Sequence, residues 1–366
     1  MHKLSLLLAT MLPAALTHAA PIQLYLGTAG NDSGILTCTF DPADGSFGPV
    51  TQAAPLPSAG FLAQHPTLPR LYSITRAPGR NGASSVAAFS IAPDGSLKHL
   101  SSIETGDVGI THLEVSPNGK HIAVAHYSGG STALLSLDAK GIPTARTALV
   151  QHTGSSIHKR QESPFAHGVA FSTDSARVYC ADLGADKVFA YAIDAKGGLT
   201  QTGAWTATPG AGPRHLALHP NGTSLFCINE LNSTLSLLHA DAQGGLQGKH
   251  TVPTLPKDFT ERNSTAEVVV HPNGSFVYSS NRGHDSVAAF QIHKDSRLTR
   301  IELEPTQGGH PRHIALSPDG TWLIAANRDS NNLVSFKVDP KTGMLTPSSH
   351  KATAERPICV VFRRSE

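Results

Sequence analysis

An imidazole, a carboxylate and a set of guanidinium groups recur at matched places in this sequence: His167, Glu230, Arg214 and Arg282, with Arg76, Arg312, Arg328 and Tyr127 at equivalent positions. These are the parts that acyl transfer to water requires. A base must activate the water, donors must hold a tetrahedral oxyanion, and an acid must protonate the departing oxygen. A carboxylate placed between Arg214 and Arg282 is favoured in its ionised form. His167 has an ordinary pKa near neutrality and can exchange a proton at working pH, so His167 and Glu230 are alternative bases. Arginine stays charged and offers a planar fork to carboxylate or phosphate. Arg214, Arg282, Arg312, Arg328 and Arg76 therefore suit an anionic ligand or an oxyanion.

One strongly patterned stretch shows how such residues are positioned. Residues 214–219 alternate with the period of a strand, Pro220, Asn221 and Gly222 form a turn, and residues 224–228 are a second β-rich run. Arg214 and His215 enter this hairpin, and Asn229 and Glu230 leave it. In an antiparallel pair the start of the first strand and the end of the second share one edge, so these four residues lie together.

The unit repeats along the chain. Its turns stand at His65-Pro66, Ser116-Pro117, Ser172-Thr173, His219-Pro220, His271-Pro272 and Ser317-Pro318, 46 to 56 residues apart. Each is followed by a β-rich run and then a third strand, as at residues 85–91, 187–193, 286–292 and 332–338. Gly-centred turns lead on to a fourth. Four strands in each period of roughly 40 to 56 residues are the signature of a β-propeller blade. Residues 22–47 have second and third strands without a first, whereas residues 357–362 are a first strand with nothing after it. The expected fold class is therefore all-β, a seven-bladed β-propeller whose C-terminal strand completes the N-terminal blade and closes the ring.

Counting eleven residues on from each first turn residue gives Arg76, Tyr127, Leu183, Glu230, Arg282 and Arg328; counting five back gives Gly60, Thr111, His167, Arg214, Ala266 and Arg312. Both sets belong to one mouth of the central channel. His215 and His313, one residue after the site arginines, are expected to point away from the channel as packed strand residues. The two longest connections, residues 150–163 and 251–264, precede the blades that carry His167 and Arg282. In the first, His158, Lys159 and Arg160 read as a solvated charge run, with an anion-attracting rim as the alternative.

Composition narrows the class. Only 15% of the 366 residues are charged, Gly (33) and Pro (25) are abundant, and no long stretch has the spacing of an amphipathic helix. Residues 1–19 read as a cleavable secretory signal peptide: Lys3 is basic, residues 4–16 are apolar but too short to span a bilayer, and Thr17-His18-Ala19 ends in a small residue. This gives a propeller domain over residues 20–366 and a periplasmic or secreted location. Losing Lys3 lowers the net charge from +2 to +1 (28 basic minus 27 acidic), with no nucleic-acid footprint and no membrane span expected.

Metal-binding and nucleophile-elbow motifs are missing from the sequence, so neither a metal nor a cofactor is expected, and the histidines are assigned to turns, surface and channel. Asp182, Asp186, Asp285 and Asp329 read as turn formers. Four cysteines in an exported chain suggest two disulfides. Blade geometry argues against them. Cys38 and Cys359 fall two strands apart in one blade, about 9.5 Å, beyond the limit of about 7 Å for a bridge. Cys180 and Cys227 hold equivalent places in neighbouring blades. All four are expected to be buried free thiols.

Several segments together resemble the seven-bladed lactonase family typified by propeller-type 6-phosphogluconolactonase, to which carboxy-cis,cis-muconate cyclase is also similar. They include Arg160 to His167 (RQESPFAH), Ala181 to Asp186 (ADLGAD), Gly212 to His215 (GPRH), Asn229 to Leu231 (NEL), Leu255 to Phe259 (LPKDF), Thr265 to Glu267 (TAE) and Asn281 to Asp285 (NRGHD). The resemblance implies a catalytic group of His167, Arg214, Glu230 and Arg282. The reading that follows is a lactone hydrolase acting on a sugar lactone, an unphosphorylated substrate being better suited to an exported chain, and metal-independent because a mouth dominated by arginines repels a cation. The alternatives are a muconate-type lactonising cyclase and a non-catalytic exported propeller that binds a ligand or an envelope partner. The expected partner is a small lactone or carboxylate, and the expected state a monomer.

Overall fold

A computed structural model describes residues 20–30, 33–76 and 83–364. The signal-peptide expectation lies outside the described residues. Among these, every regular element is a β-strand, and 28 strands form seven four-stranded antiparallel sheets. The first strands of successive sheets touch one another in sequence all the way round, which makes the assembly a closed ring. In the sheet that closes it, the order runs Pro357–Phe362, Ile22–Thr28, Ile35–Phe40, Thr51–Ala54. The expected seven-bladed propeller with C-terminal closure is the fold observed. We number the blades in chain order, with the closing sheet as blade 1 and the sheets beginning at residues 62, 110, 166, 213, 264 and 311 as blades 2 to 7.

The core is divided rather than central. Seven apolar clusters occupy the seven interfaces between adjacent blades. Strand periodicity explains this, because successive side chains leave opposite faces and both faces of every blade are covered. Along Ser224–Asn229, Leu225 and Cys227 join the cluster shared with blade 4, whereas Phe226 and Ile228 join the one shared with blade 6. Each large residue so buried contributes about 1.5–3 kcal/mol. Cys38, Cys180, Cys227 and Cys359 are all buried and free.

The turns tie neighbouring blades together. His65, His219 and His271 each donate from Nε2 to a turn carbonyl of the next blade, Gly119 at 3.1 Å, Gly274 at 2.8 Å and Gly320 at 3.1 Å. These rings are structural, as expected for the turn histidines.

Candidate active site at the channel mouth

One irregularity in the strands aims the site residues. In the first strand of blade 4, Ala166 pairs with Asp182 and Gly168 with Ala181, so His167 is an extra, bulged residue. Arg214 is passed over in the same way between Pro213 and His215, Arg312 between Pro311 and His313, Thr111 between Ile110 and His112, and Ile358 between Pro357 and Cys359. Blade 6 has a related shift around Ala266 and Glu267. A bulge bends its strand and re-aims a side chain. Here the bulges at Thr111, His167, Arg214 and Arg312 direct those residues to the channel mouth, at positions given by the count of five. Gly168 is required beside His167, since a Cβ there would lie 2.5 Å from the Arg214 carbonyl oxygen.

Four expected residues meet. Arg214 Nε and Arg282 Nη2 lie 3.0 and 3.1 Å from Glu230 Oε2, and His167 Nε2 lies 3.8 Å from the same oxygen. His167, Arg214, Glu230 and Arg282 are all buried. Arg214 Nη1 also donates to the Ala266 carbonyl at 2.6 Å, and Arg282 Nη2 to that of Thr265, so both forks are held by the next or the same blade. Tyr127 packs edge-on to His167 with ring centres 5.3 Å apart. Arg328 lies on the same rim, but its guanidinium is committed to Asp329, 2.6 Å away.

A fifth member arrives from a connection rather than a strand. Arg160 Nη1 donates to Glu230 Oε1 at 2.7 Å, and its Nη2 donates to the Tyr127 hydroxyl at 3.2 Å. The solvated reading of residues 158–160 is therefore corrected for Arg160, while Lys159 is exposed. The neighbouring Gln161, fully buried, explains the order of this loop. Its amide donates to the Leu183 carbonyl and to Asp186 Oδ1, both at 2.7 Å. Asp186 in turn accepts from the backbone of Gly210 and Gly212, just before Arg214. Asp182 and Asp285 accept turn N–H groups, from Ala185 at 2.8 Å and Gly283 at 3.1 Å, whereas Asp329 pairs with Arg328 and His310 and Asp186 braces the site.

A cleft of about 310 Å³ adjoins the cluster, lined by Arg312, Arg76, Thr28, Thr75, Thr111 and Ile358 among others. Thr111 links the two by donating to the His167 carbonyl at 3.1 Å. Arg312 has no hydrogen-bond or ion-pair partner among the described residues. Burial and then Arg282 push its pKa down to about 10, so it remains a cation at neutral pH. Burial alone would raise the Glu230 pKa, but Arg282, Arg214, His167 and Arg160 outweigh it and hold the carboxyl far below the usual range. Burial, followed by Arg214 and His215, holds His167 well below its ordinary value despite the opposing pull of Glu230. At neutral pH the site thus has a permanent anion, a neutral imidazole and an excess of guanidinium charge.

His215 and His313 do not point away from the channel, and that expectation is corrected. His215 Nδ1 lies 3.0 Å from both oxygens of Glu267, and His313 Nε2 3.4 Å from Glu267 Oε2. Phe61 of blade 2 reaches across to His215 of blade 5, ring centres 5.6 Å apart, so this layer fills the bore beneath the site. The reason is the bulge. An inserted residue breaks the two-residue alternation, and two consecutive side chains face inward.

The family described as Lactonase, 7-bladed beta-propeller, matches residues 23–362. The chain is 32% identical over 343 residues to the 6-phosphogluconolactonase of Bacillus subtilis, covering 92% of this chain and 97% of that one. It is 31% identical to the 6-phosphogluconolactonase of Formosa agariphila, covering 86% and 90%. Among solved structures, a periplasmic gluconolactonase of Pseudomonas aeruginosa superposes with a TM-score of 0.88 at 27% identity, covering 95% of this chain and all of that one.

Proposed function

The chain belongs to the seven-bladed β-propeller lactonase family, and from that premise we propose that it hydrolyses a sugar lactone, unphosphorylated and met outside the cytosol, at the Glu230 cluster. The observation that carries this reading is a buried carboxylate contacted by Arg160, Arg214 and Arg282, with a neutral imidazole 3.8 Å away.

In the reaction, His167 Nε2 takes a proton as the water oxygen bonds to the lactone carbonyl carbon. The carbonyl electrons move onto its oxygen, and the arginines stabilise that oxyanion. Collapse breaks the ring carbon–oxygen bond, and the imidazolium returns its proton to the departing ring oxygen. The product is an open hydroxy acid, which ionises at neutral pH. Glu230 is a poor base, because a carboxyl held so strongly ionised has little proton affinity. Its role is to align three guanidinium groups and to stabilise the transient imidazolium. Arg312, with Arg76 farther out, holds the carboxylate of the product or a polar arm of the substrate. An arginine-rich mouth repels a cation, which favours a metal-independent route.

The choice of an unphosphorylated substrate is supported by the leader-like residues 1–19 and by the similarity to a protein described as a periplasmic gluconolactonase. Proton release from D-glucono-δ-lactone and from its 6-phosphate, each corrected for spontaneous hydrolysis, tests it. The expected result is a higher kcat/KM for the unphosphorylated lactone. A clear preference for the phosphate would overturn the choice of substrate, and turnover of neither would overturn the hydrolase.

A further inference from the structure

Two places before the bulged residue, blades 3, 5 and 7 share a left-handed backbone: Gly109 has φ 72°, Gly212 68° and His310 61°. The carbonyl at this place accepts the N–H of Tyr127 at 2.8 Å, of Glu230 at 2.7 Å and of Arg328 at 3.0 Å, so the bend does the same work each time. Glycine takes this conformation freely, whereas a residue with a Cβ takes it at a cost. Blade 7 therefore keeps an imidazole where blades 3 and 5 have none, and a side chain retained at a strained place points to a role for it.

The surroundings of His310 hold one ring nitrogen and leave the other unmatched. Its backbone N–H donates to Asp285 Oδ1 at 2.8 Å, and Asp329 Oδ2 lies 3.4 Å from its Nδ1. Nε2 is buried and has no hydrogen-bond partner. Burial, then Arg282 and Arg328, push the pKa from 6.5 down to about 4 against the pull of Asp329, with Arg312 adding to them. The ring is thus neutral at neutral pH and lies among the guanidinium groups of the mouth. Asp329, kept ionised by Arg328, favours the ring proton on Nδ1, which leaves a lone pair on Nε2. Neighbouring arginines do not supply a donor, since Arg282 is directed at Glu230, Ser264 and Thr265, and Arg328 at Asp329. A buried acceptor without a donor is costly, and a ligand that brings one removes the cost.

We propose that His310 is a recognition residue of this site, accepting through Nε2 a hydrogen bond from a hydroxyl of the lactone and of its hydroxy-acid product. The inference rests on the lactonase reading and names the part of the substrate that is selected. Arginines take the oxyanion or the carboxylate, and the imidazole takes a hydroxyl proton. A free hydroxyl meets that acceptor, whereas a phosphate, largely dianionic at neutral pH, offers it no proton.

His310→Gly is the variant of choice, because blades 3 and 5 show that glycine fits the bend. Its Tm should fall by no more than a degree or two. KM for D-glucono-δ-lactone, and the dissociation constant for gluconate read by titration calorimetry, should each rise about three- to tenfold. The kcat should stay within about twofold of the parent, the pattern of a contact made equally in ground and transition states. Preference for D-glucono-δ-lactone over δ-valerolactone, a ring of the same size without hydroxyls, should shrink by a similar factor. In the parent, long-range proton–nitrogen spectra, assigned by the signals lost in His310→Gly, should show the proton on Nδ1 and an Nε2 resonance that moves as gluconate is added.

Unchanged KM and gluconate affinity in His310→Gly overturn the proposal, whatever happens to Tm. So does a parent Nε2 signal that stays fixed at saturating gluconate, or gluconate that binds neither form. If no lactone is turned over but gluconate binds and His310→Gly weakens it, the lactonase reading falls and the hydroxyl contact stands. Should His310→Gly fail to fold, His310→Asn, which also tolerates left-handed backbone, assigns the signals, and the response of the parent Nε2 decides.

Discussion

Arg160 donates to Glu230 across 2.7 Å although 70 residues separate them, and it does so from a connection between blades. Its side chain is 40% exposed, so solvent screens the pair and its contribution to stability is small. Arg160→Ala should therefore leave Tm within a degree or two of the parent while lowering kcat/KM about tenfold or more, as expected for loss of one charged donor. Steady-state kinetics beside a thermal melt checks this. A loss of activity that follows a loss of fold would count against a role for Arg160 in the site.

Glu230→Gln removes the anion and keeps the shape. Turnover should fall about a hundredfold or more. Arg214 and Arg282 would be left buried without their counter-charge, so the melting temperature should fall as well. Gluconate should bind as tightly as to the parent or more tightly, and should restore stability, because the freed arginines can pair with its carboxylate. Titration calorimetry and melts with and without gluconate read both effects. Parental turnover in this variant would reduce Glu230 to a counter-ion of the channel.

Arg312 presents the opposite case, a half-buried cation with no ion-pair partner among the described residues. Arg312→Met keeps the bulk and removes a charge that burial and Arg282 both disfavour. The ligand-free protein should become more stable, while KM for the lactone and the dissociation constant for gluconate rise. Lower stability together with unchanged binding would show that Arg312 braces the rim.

The buried histidines make stability depend on pH. Burial pushes His112 and His126 from 6.5 to about 4, and holds His167, His215 and His313 below their ordinary value. Each therefore binds protons more readily when unfolded. Their contribution is complete above pH 6.5 and is lost as pH falls toward about 4, so Tm should drop across that window. Glu114, pushed by burial from 4.5 up to about 8, works in the other direction. Its contribution is complete below pH 4.5 and is lost as pH rises to about 8. Glu114→Gln, which can still accept from Phe171, should raise Tm at pH 8 and leave it unchanged at pH 4. Melts at those two values distinguish this from a general packing effect.

All four cysteines are expected to resist alkylation while the protein is native, since burial pushes the Cys38 thiol up to about 12 and raises the other three further. Denaturation without reductant should expose four labelling sites, read as a mass shift. Two labels or none would reveal a bridge.

Most of the fold was legible because each blade repeats one hairpin, and because the incomplete ends at residues 22 and 362 complement each other. The convergence of His167, Arg214, Glu230 and Arg282 was legible for the same reason, since equal counts from equivalent turns reach equivalent places. Two features were not. Arg160 comes from a connection, where no repeat fixes position, and only the length of the segment, its charge run and its place at the head of the family-like stretch Arg160 to His167 marked it. His215 and His313 were turned the wrong way because alternation fails at a bulge. A strand with an extra residue at Arg214 presents both Arg214 and His215 inward, and only the pairing of Pro213 with Asn229 and His215 with Ile228 reveals that residue.

The closing blade also fixes when the cleft can exist. Thr28 and Ile358 line the same cavity wall, so the wall joins one of the earliest described residues to one of the latest. A nascent chain that has emerged as far as residue 353 contains the strands of blades 2 to 7 and the whole Glu230 cluster, yet it has neither the strand Pro357–Phe362 nor the finished cleft beside Arg312. Synthesis must pass residue 358 before a ligand can find that wall complete, and competence to bind there is a late event in the life of each chain.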